Sequence, residues 1–329
     1  MGYSRASVAV VLVVALAGMV GCRRRPEGSA GSSAADRGPT VAGSILPIAD
    51  VLAQLVGGRY RVMTLLPAGQ TPHGYEPAPA QAERLAAAEL LVMVGLGVDD
   101  WALRSAEALG RDGPRVLQLG AVVDTSLPET GAAPDGSTTR TARSPADVDG
   151  HDHGHHHAGA DDPHIWLDPI KMIQITDEIA RALAAVDPAG EADFVANAER
   201  FKRELRDLDR LYAERLAKLP RREFVTFHAA YGHLAARYGL EEVPLRFAHA
   251  EEAGPRQLEQ VVAFIRKNKV RFIFAEPQFP VDQLDAIAQQ TGVGVDRLDP
   301  LGAPGITGHD GYVAMMKTNL AALIEGLSR

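Results

Sequence analysis

A single cysteine, Cys22, stands in the 329-residue chain, so no internal disulfide can staple the fold and any metal site must use imidazole and carboxylate rather than thiolate. Positive charge is in deficit too: the formal net charge is −8, slightly more negative once Arg5 is lost with the leader, which argues against a nucleic-acid partner. Long apolar runs are scarce. The stretch Val8 to Val20 is too short to span a bilayer comfortably. No His-Glu-x-x-His motif occurs, which removes the usual sequence signature of a zinc protease.

What is present begins with an export signal: Arg5, the apolar stretch behind it, and small residues at its close. Met19-Val20-Gly21-Cys22 is similar to the lipobox of bacterial lipoproteins, with Met where Leu is usual. In such proteins the cysteine is acylated and becomes the mature N-terminus; an ordinary signal peptide cut near Gly21 is the alternative. Residues 1–21 are therefore expected to be a signal peptide, and residues 22–39, rich in Gly, Ser, Ala, Pro and Arg, a flexible lipidated tether.

From Thr40 onward short β-rich runs alternate with segments of helical spacing, the rhythm of parallel βαβ units in a layered α/β domain. Strands are expected over Thr40–Leu46, Tyr60–Leu66, Glu89–Val94 and Arg115–Leu119, and helices over Pro47–Val56 and Ala80–Ala88. Residues 125–162 interrupt the rhythm with Gly, Pro, Ser, Thr, Asp and His, too polar to repay the entropy of ordering. After helix Pro169–Val186, a longer pattern over 191–219 places Phe194, Ala198, Phe201, Leu205, Leu208, Tyr212 and Leu216 on one stripe. The α/β rhythm then resumes. The expected domains are a lobe over 40–187 carrying the 125–162 insertion, a linking helix over 188–219 and a lobe over 220–329. Ligands of such lobes sit beyond the carboxyl ends of the strands, here in the crevice between them.

Eleven histidines occur. Five of them, His151, His153, His155, His156 and His157, lie in the polar insertion; a flexible imidazole tract binds transition metals without fixing geometry, and a solvated linker is the bland alternative. Three more fall in loops that follow, or nearly follow, an expected strand: His73 in Pro72-His73-Gly74-Tyr75-Glu76-Pro77, His164 in Asp162-Pro163-His164-Ile165-Trp166-Leu167-Asp168-Pro169 where the polar insertion ends, and His228 after the run Glu223–Phe227. Prolines and glycines around His73 suit either a ligand held rigidly or a simple turn. Asp168 could orient the His164 ring. Asp299, at the end of the last strand, could add an oxygen ligand or cap a turn. His233, on the helix after His228, reads as structural. Three imidazoles and a carboxylate would complete a tetrahedral zinc shell without cysteine.

These segments, with Phe227-His228-Ala229-Ala230-Tyr231-Gly232, Phe274-Ala275-Glu276-Pro277-Gln278-Phe279 and Leu298-Asp299-Pro300-Leu301-Gly302, resemble in order those of the zinc- and manganese-binding solute-binding proteins of bacterial ABC importers. The resemblance covers nearly the whole mature chain. It implies two Rossmann-like α/β lobes joined by one long rigid helix, with the metal between the lobes on His73, His164, His228 and Asp299. Glu276 lies in a family segment as a residue supporting the site. Manganese-binding members usually carry Glu in place of the third His, so His228 favours zinc over manganese. The resemblance further implies a periplasmic or cell-surface lipoprotein, acting as a monomer, that passes its metal to a membrane permease. A zinc hydrolase and a surface adhesin are the rivals from other classes.

Overall fold

The computed structural model describes residues 38–127, 162–245, 255–277 and 281–328. The leader, Cys22, the tether up to Arg37, and His151, His153, His155, His156 and His157 lie outside the described residues.

The short apolar runs form two four-stranded parallel sheets. The first holds β1 (Thr40–Gly43), β2 (Arg61–Thr64), β3 (Ala88–Met93) and β4 (Arg115–Gln118) in the order β2-β1-β3-β4. The second holds β5 (Glu223–Thr226), β6 (Glu241–Pro244), β7 (Phe272–Ala275) and β8 (Gly294–Arg297) in the order β6-β5-β7-β8, the same pattern repeated. Inner strands of parallel sheets are covered on both faces, and Val41, Ala42, Leu91 and Val92 are accordingly buried. The α/β architecture read from the sequence is the one found.

Around the first sheet run α1 (Leu46–Val56), α2 (Pro79–Leu85), α3 (Asp100–Ala108) and α4 (Pro169–Val186); α5 (Glu191–Leu216) follows, and the second sheet carries α6 (Gly232–Tyr238), α7 (Pro255–Asn268), α8 (Val281–Thr291) and α9 (Tyr312–Ser328). Helix α1 has Pro47 in its first turn and stops at Gly57, whose φ of +55° is the left-handed conformation glycine adopts without strain. Helix α4 is capped by Asp168, whose Oδ1 accepts from Ile170 N at 2.8 Å.

Two elements were not anticipated. Helix α3 is a short nine-residue helix of mixed polar and apolar residues, and it is set by Asp99, whose buried carboxylate accepts from Val94 N and Gly95 N at 2.8 and 2.7 Å. Strand β6 carries two glutamates and a proline, a composition tolerated because it is the edge strand of its sheet.

The seven stripe residues of α5, Phe194 to Leu216, are all buried, and the helix packs on α4, α1, α9 and α6. One large apolar cluster runs from the first sheet through α4 and α5 to α9, while a smaller one around Val225, Ile273 and Ile287 stays within the second lobe. Hydrogen bonds strap the halves together. Trp166 Nε1 donates to Pro300 O at 2.7 Å, Tyr312 Oη donates to Trp166 O at 2.8 Å, and Tyr312 N donates to Asp50 Oδ2 at 2.9 Å. No helix among the described residues is long and apolar enough to cross a membrane.

Candidate metal centre

His73 stands in the loop between β2 and α2. Its neighbours hold it from both sides: Trp101 Nε1 donates to Pro72 O at 2.9 Å, and Gly74 makes the turn with φ +72°. Tyr75 packs edge-on against Trp101 with ring centroids 4.9 Å apart. This scaffold places the loop, and the His73 ring itself meets the His164 ring.

His164 opens the turn Ile165–Leu167 that leads into α4. Its backbone N and its Nδ1 both meet Asp162 Oδ1, at 3.0 and 2.7 Å. Asp162 is held in turn by His233, whose Nε2 lies 2.9 Å from Asp162 O. A carbonyl can only accept, so that nitrogen carries the proton. His233 is thus structural, as read, and works by fixing the residue that fixes His164.

The expectation for Asp168 needs correction. Its Oδ1 caps α4 and faces Arg237 Nε at 3.4 Å rather than His164. The residue that orients His164 is Asp162, two positions earlier, where a short carboxylate folds back onto the local backbone as Asp does in tight turns.

His228 follows β5, and Glu276 follows β7. These strands are neighbours at the point where the second sheet reverses its strand order, the place where α/β sheets open a ligand crevice. Glu276 Oε1 lies 2.8 Å from His228 Nδ1. A carboxylate oxygen accepts, so Nδ1 carries a proton here as at His164, and Nε2 is the nitrogen left to bind a proton or an ion.

The three rings converge. Centroids of His73, His164 and His228 lie 5.4, 5.0 and 4.9 Å apart pairwise, and one ring nitrogen from each falls within 4.8 Å of the others. His73 Nε2 and His164 Nε2 are 3.3 Å apart. Two imidazoles on a tetrahedral zinc ion with Zn–N bonds of about 2.0–2.1 Å have their nitrogens about 3.3–3.4 Å apart. The spacing between these two donors is already that of a shared ion.

Asp299 is not in this group. It is 2% exposed, accepts from Leu301 N and Gly302 N on Oδ1 at 3.0 and 2.8 Å, and meets His309 Nδ1 with Oδ2 at 2.6 Å. His309 was not singled out in the sequence; no motif marks it, and its glycine-rich loop gives no periodic signal.

Electrostatics divide the three imidazoles. Burial pushes His73 down to about 3, helped by the neighbouring His164 and His228. Burial likewise lowers His164, against the pull of Asp162. At His228 burial also opposes charge, but the Glu276 hydrogen bond and charge outweigh it and hold the group above its ordinary value. The site thus offers two imidazoles that stay neutral and one that competes for a proton.

The family model described as zinc-uptake complex component A, periplasmic, matches residues 41–326. The zinc-binding lipoprotein AdcA of Streptococcus pneumoniae (strain ATCC BAA-255 / R6) is 29% identical over 84% of this chain, which spans 53% of that protein's length. The manganese-binding lipoprotein MntA of Halalkalibacterium halodurans is 27% identical over 97% of both chains. A crystal structure of a ZnuA deletion mutant with zinc bound superposes with a TM-score of 0.69 at 26% identity, covering 89% of this chain and 99% of that one.

Proposed function

The chain belongs to the family of the zinc-uptake complex component A, and on that premise we propose that it captures zinc outside the cytoplasm and delivers it to the permease of an ABC importer. The observation that carries this reading is the meeting of His73, His164 and His228, with two Nε2 atoms at the spacing of a shared tetrahedral ion. Zinc is the cargo, and the chemistry is reversible coordination. The family description, an uptake component, supports capture and delivery over the hydrolase reading.

Each residue has a role in capture. His73, His164 and His228 supply nitrogen ligands. Asp162 and Glu276 accept from Nδ1 of His164 and His228, which fixes the tautomer, aims Nε2 inward and makes the rings more basic donors. Asp299 supplies the fourth ligand by turning Oδ2 from His309 to the ion while Oδ1 stays on the amides of Leu301 and Gly302. Release to the permease reverses that exchange. A carboxylate with a waiting partner leaves an ion more readily than one that would be stranded.

The accessory run His151 to His157 raises the local zinc concentration near the site, and acylated Cys22 keeps the chain, acting as a monomer, at the membrane surface that holds the permease. Residues 40–187 and 220–329 serve as the two lobes, with 188–219 between them.

The test is equilibrium zinc titration against a chromophoric chelator. Wild type should bind one tight equivalent. Loss of an orienting partner costs metal sites about 10–100-fold, so loss of a ligand in His73→Ala, His164→Ala or His228→Ala should cost at least about 100-fold. Tight zinc binding in all three variants would refute the site. Competition with manganese should leave zinc bound.

A further inference from the structure

The turn between β5 and α6 carries His228, yet it makes few bonds of its own. Helix α6 has no side-chain cap at Tyr231, and within the turn Ala230 N reaches His228 O at 3.0 Å. The missing support comes from the neighbouring strand. Glu242 on β6 pairs in register with Phe224, two residues short of the end of β5, so its side chain runs along the sheet to the turn. There Oε1 accepts from Thr226 Oγ1 at 2.8 Å and from Ala230 N at 3.2 Å, and Oε2 accepts from Tyr231 N at 3.1 Å.

Such a carboxylate is costly to keep. Burial lifts Glu242 to about 7, although its bonds to Thr226 and Tyr231 pull the other way, and the charged groups it faces are Asp162 and His228. If filling space were its purpose, an apolar residue would serve the edge strand with no such cost. Three donors converging on two oxygens are what a carboxylate satisfies and an amide does not, because one end of an amide is itself a donor.

We propose that Glu242 is a positioning residue for metal capture: by gathering the Thr226 hydroxyl and the Ala230 and Tyr231 amides, it fixes the turn that delivers His228 to His73 and His164. It rests on the zinc-site reading above. Two carboxylates then act on one ligand, Glu276 on the ring and Glu242 on the backbone beneath it.

The experiment is zinc titration of Glu242→Gln in the full chain, in the wild-type background and in the His228→Ala background, with melting of each metal-free protein in chelator. The expected result is about a tenfold loss of affinity in the first background, the range for residues that orient a ligand, and no further loss where His228 is absent. A general loosening of the fold would lower affinity in both backgrounds alike, and that result, or wild-type affinity in Glu242→Gln, overturns the assignment. Should Glu242→Gln fail to fold, Thr226→Val, which removes one donor and no charge, decides by the same two-background comparison. If His73→Ala and His164→Ala bind zinc like wild type, the site reading falls and this inference with it; if they lose zinc while Glu242→Gln does not, only Glu242 is refuted.

Discussion

Zinc affinity should lose one proton's worth of strength with falling pH, not three. A histidine binds zinc through a neutral nitrogen, so each imidazole protonated in the metal-free state weakens the apparent affinity by a factor of one plus the ratio of proton concentration to its acid constant. Three ordinary histidines at 6.5, taken one pH unit lower, would each contribute a factor of about eleven, or about a thousandfold together. The structure removes two of them. His73 is held down to about 3 and His164 below its ordinary value, both first by burial, so neither competes near neutral pH.

His228 alone is raised, through Glu276. Its Nδ1 proton already rests on the carboxylate, and the proton that competes with zinc is the one on Nε2. The logarithm of the dissociation constant should therefore rise by one per pH unit below the His228 pKa and flatten above it, with the bend above 6.5. One unit below the bend the loss is about tenfold. Competition titration at half-unit steps from pH 5.5 to 8.5 measures this. A slope of two or three would show that burial does not keep His73 and His164 neutral, and a flat line would remove His228 from the site.

Further outcomes follow from named contacts. Asp162→Asn should weaken zinc binding about 10–100-fold by releasing the His164 ring, whereas Asp168→Ala should leave affinity unchanged and cost about 1 kcal/mol of stability as a lost helix cap; titration and thermal melting of both variants separate the two aspartates. Gly326→Ala would place a Cβ 2.5 Å from Phe274 Cζ and 2.8 Å from Phe272 Cδ1, so the melting temperature should fall by the equivalent of about 1–3 kcal/mol, and an unchanged melt would mean that α9 shifts freely. The metal-free chain should lose stability as pH drops from 6.5 toward 4. In that window the unfolded chain protonates histidines that the folded chain keeps neutral at His73 and His164, and differential scanning calorimetry in chelator should show it.

The parts of the fold legible in the sequence are those where one local pattern decides. Buried parallel strands are mostly apolar, so β1, β3 and β7 stand out, and the α5 stripe declares its buried face by spacing alone. Helix α3 and strand β6 are set instead by tertiary circumstance: an aspartate reaching back to Val94 and Gly95, and a place at the sheet edge. The site divides the same way. His73 and His228 sit in loops after strands, where a ring has reason to face a crevice, and His164 opens the turn before α4. Their partners do not announce themselves, because nothing in a string of letters distinguishes Asp162 from Asp168 as the carboxylate within reach of His164. Glu242 was invisible for a compound reason: its contacts depend on the pairing of a strand that was itself not anticipated.

Family membership alone does not choose the metal, since the chain is similar to a zinc-binding and to a manganese-binding lipoprotein. The donor atoms do. Manganese is a hard ion that favours carboxylate and carbonyl oxygen, while imidazole nitrogen suits zinc and binds it more tightly in the order of first-row divalent ions. Around this site the carboxylates are already engaged: Asp162 by His164, Glu276 by His228, and Asp299 by His309 and two amides. An oxygen donor must break a bond before it can reach an ion, whereas the bonds made by Nδ1 of His164 and of His228 leave Nε2 as the nitrogen available to an ion once it is deprotonated. Asp162 and Glu276 are thus spent on His164 and His228, and that division of labour favours zinc in the proposed site, with Asp299 the one carboxylate proposed to exchange its partner for the ion.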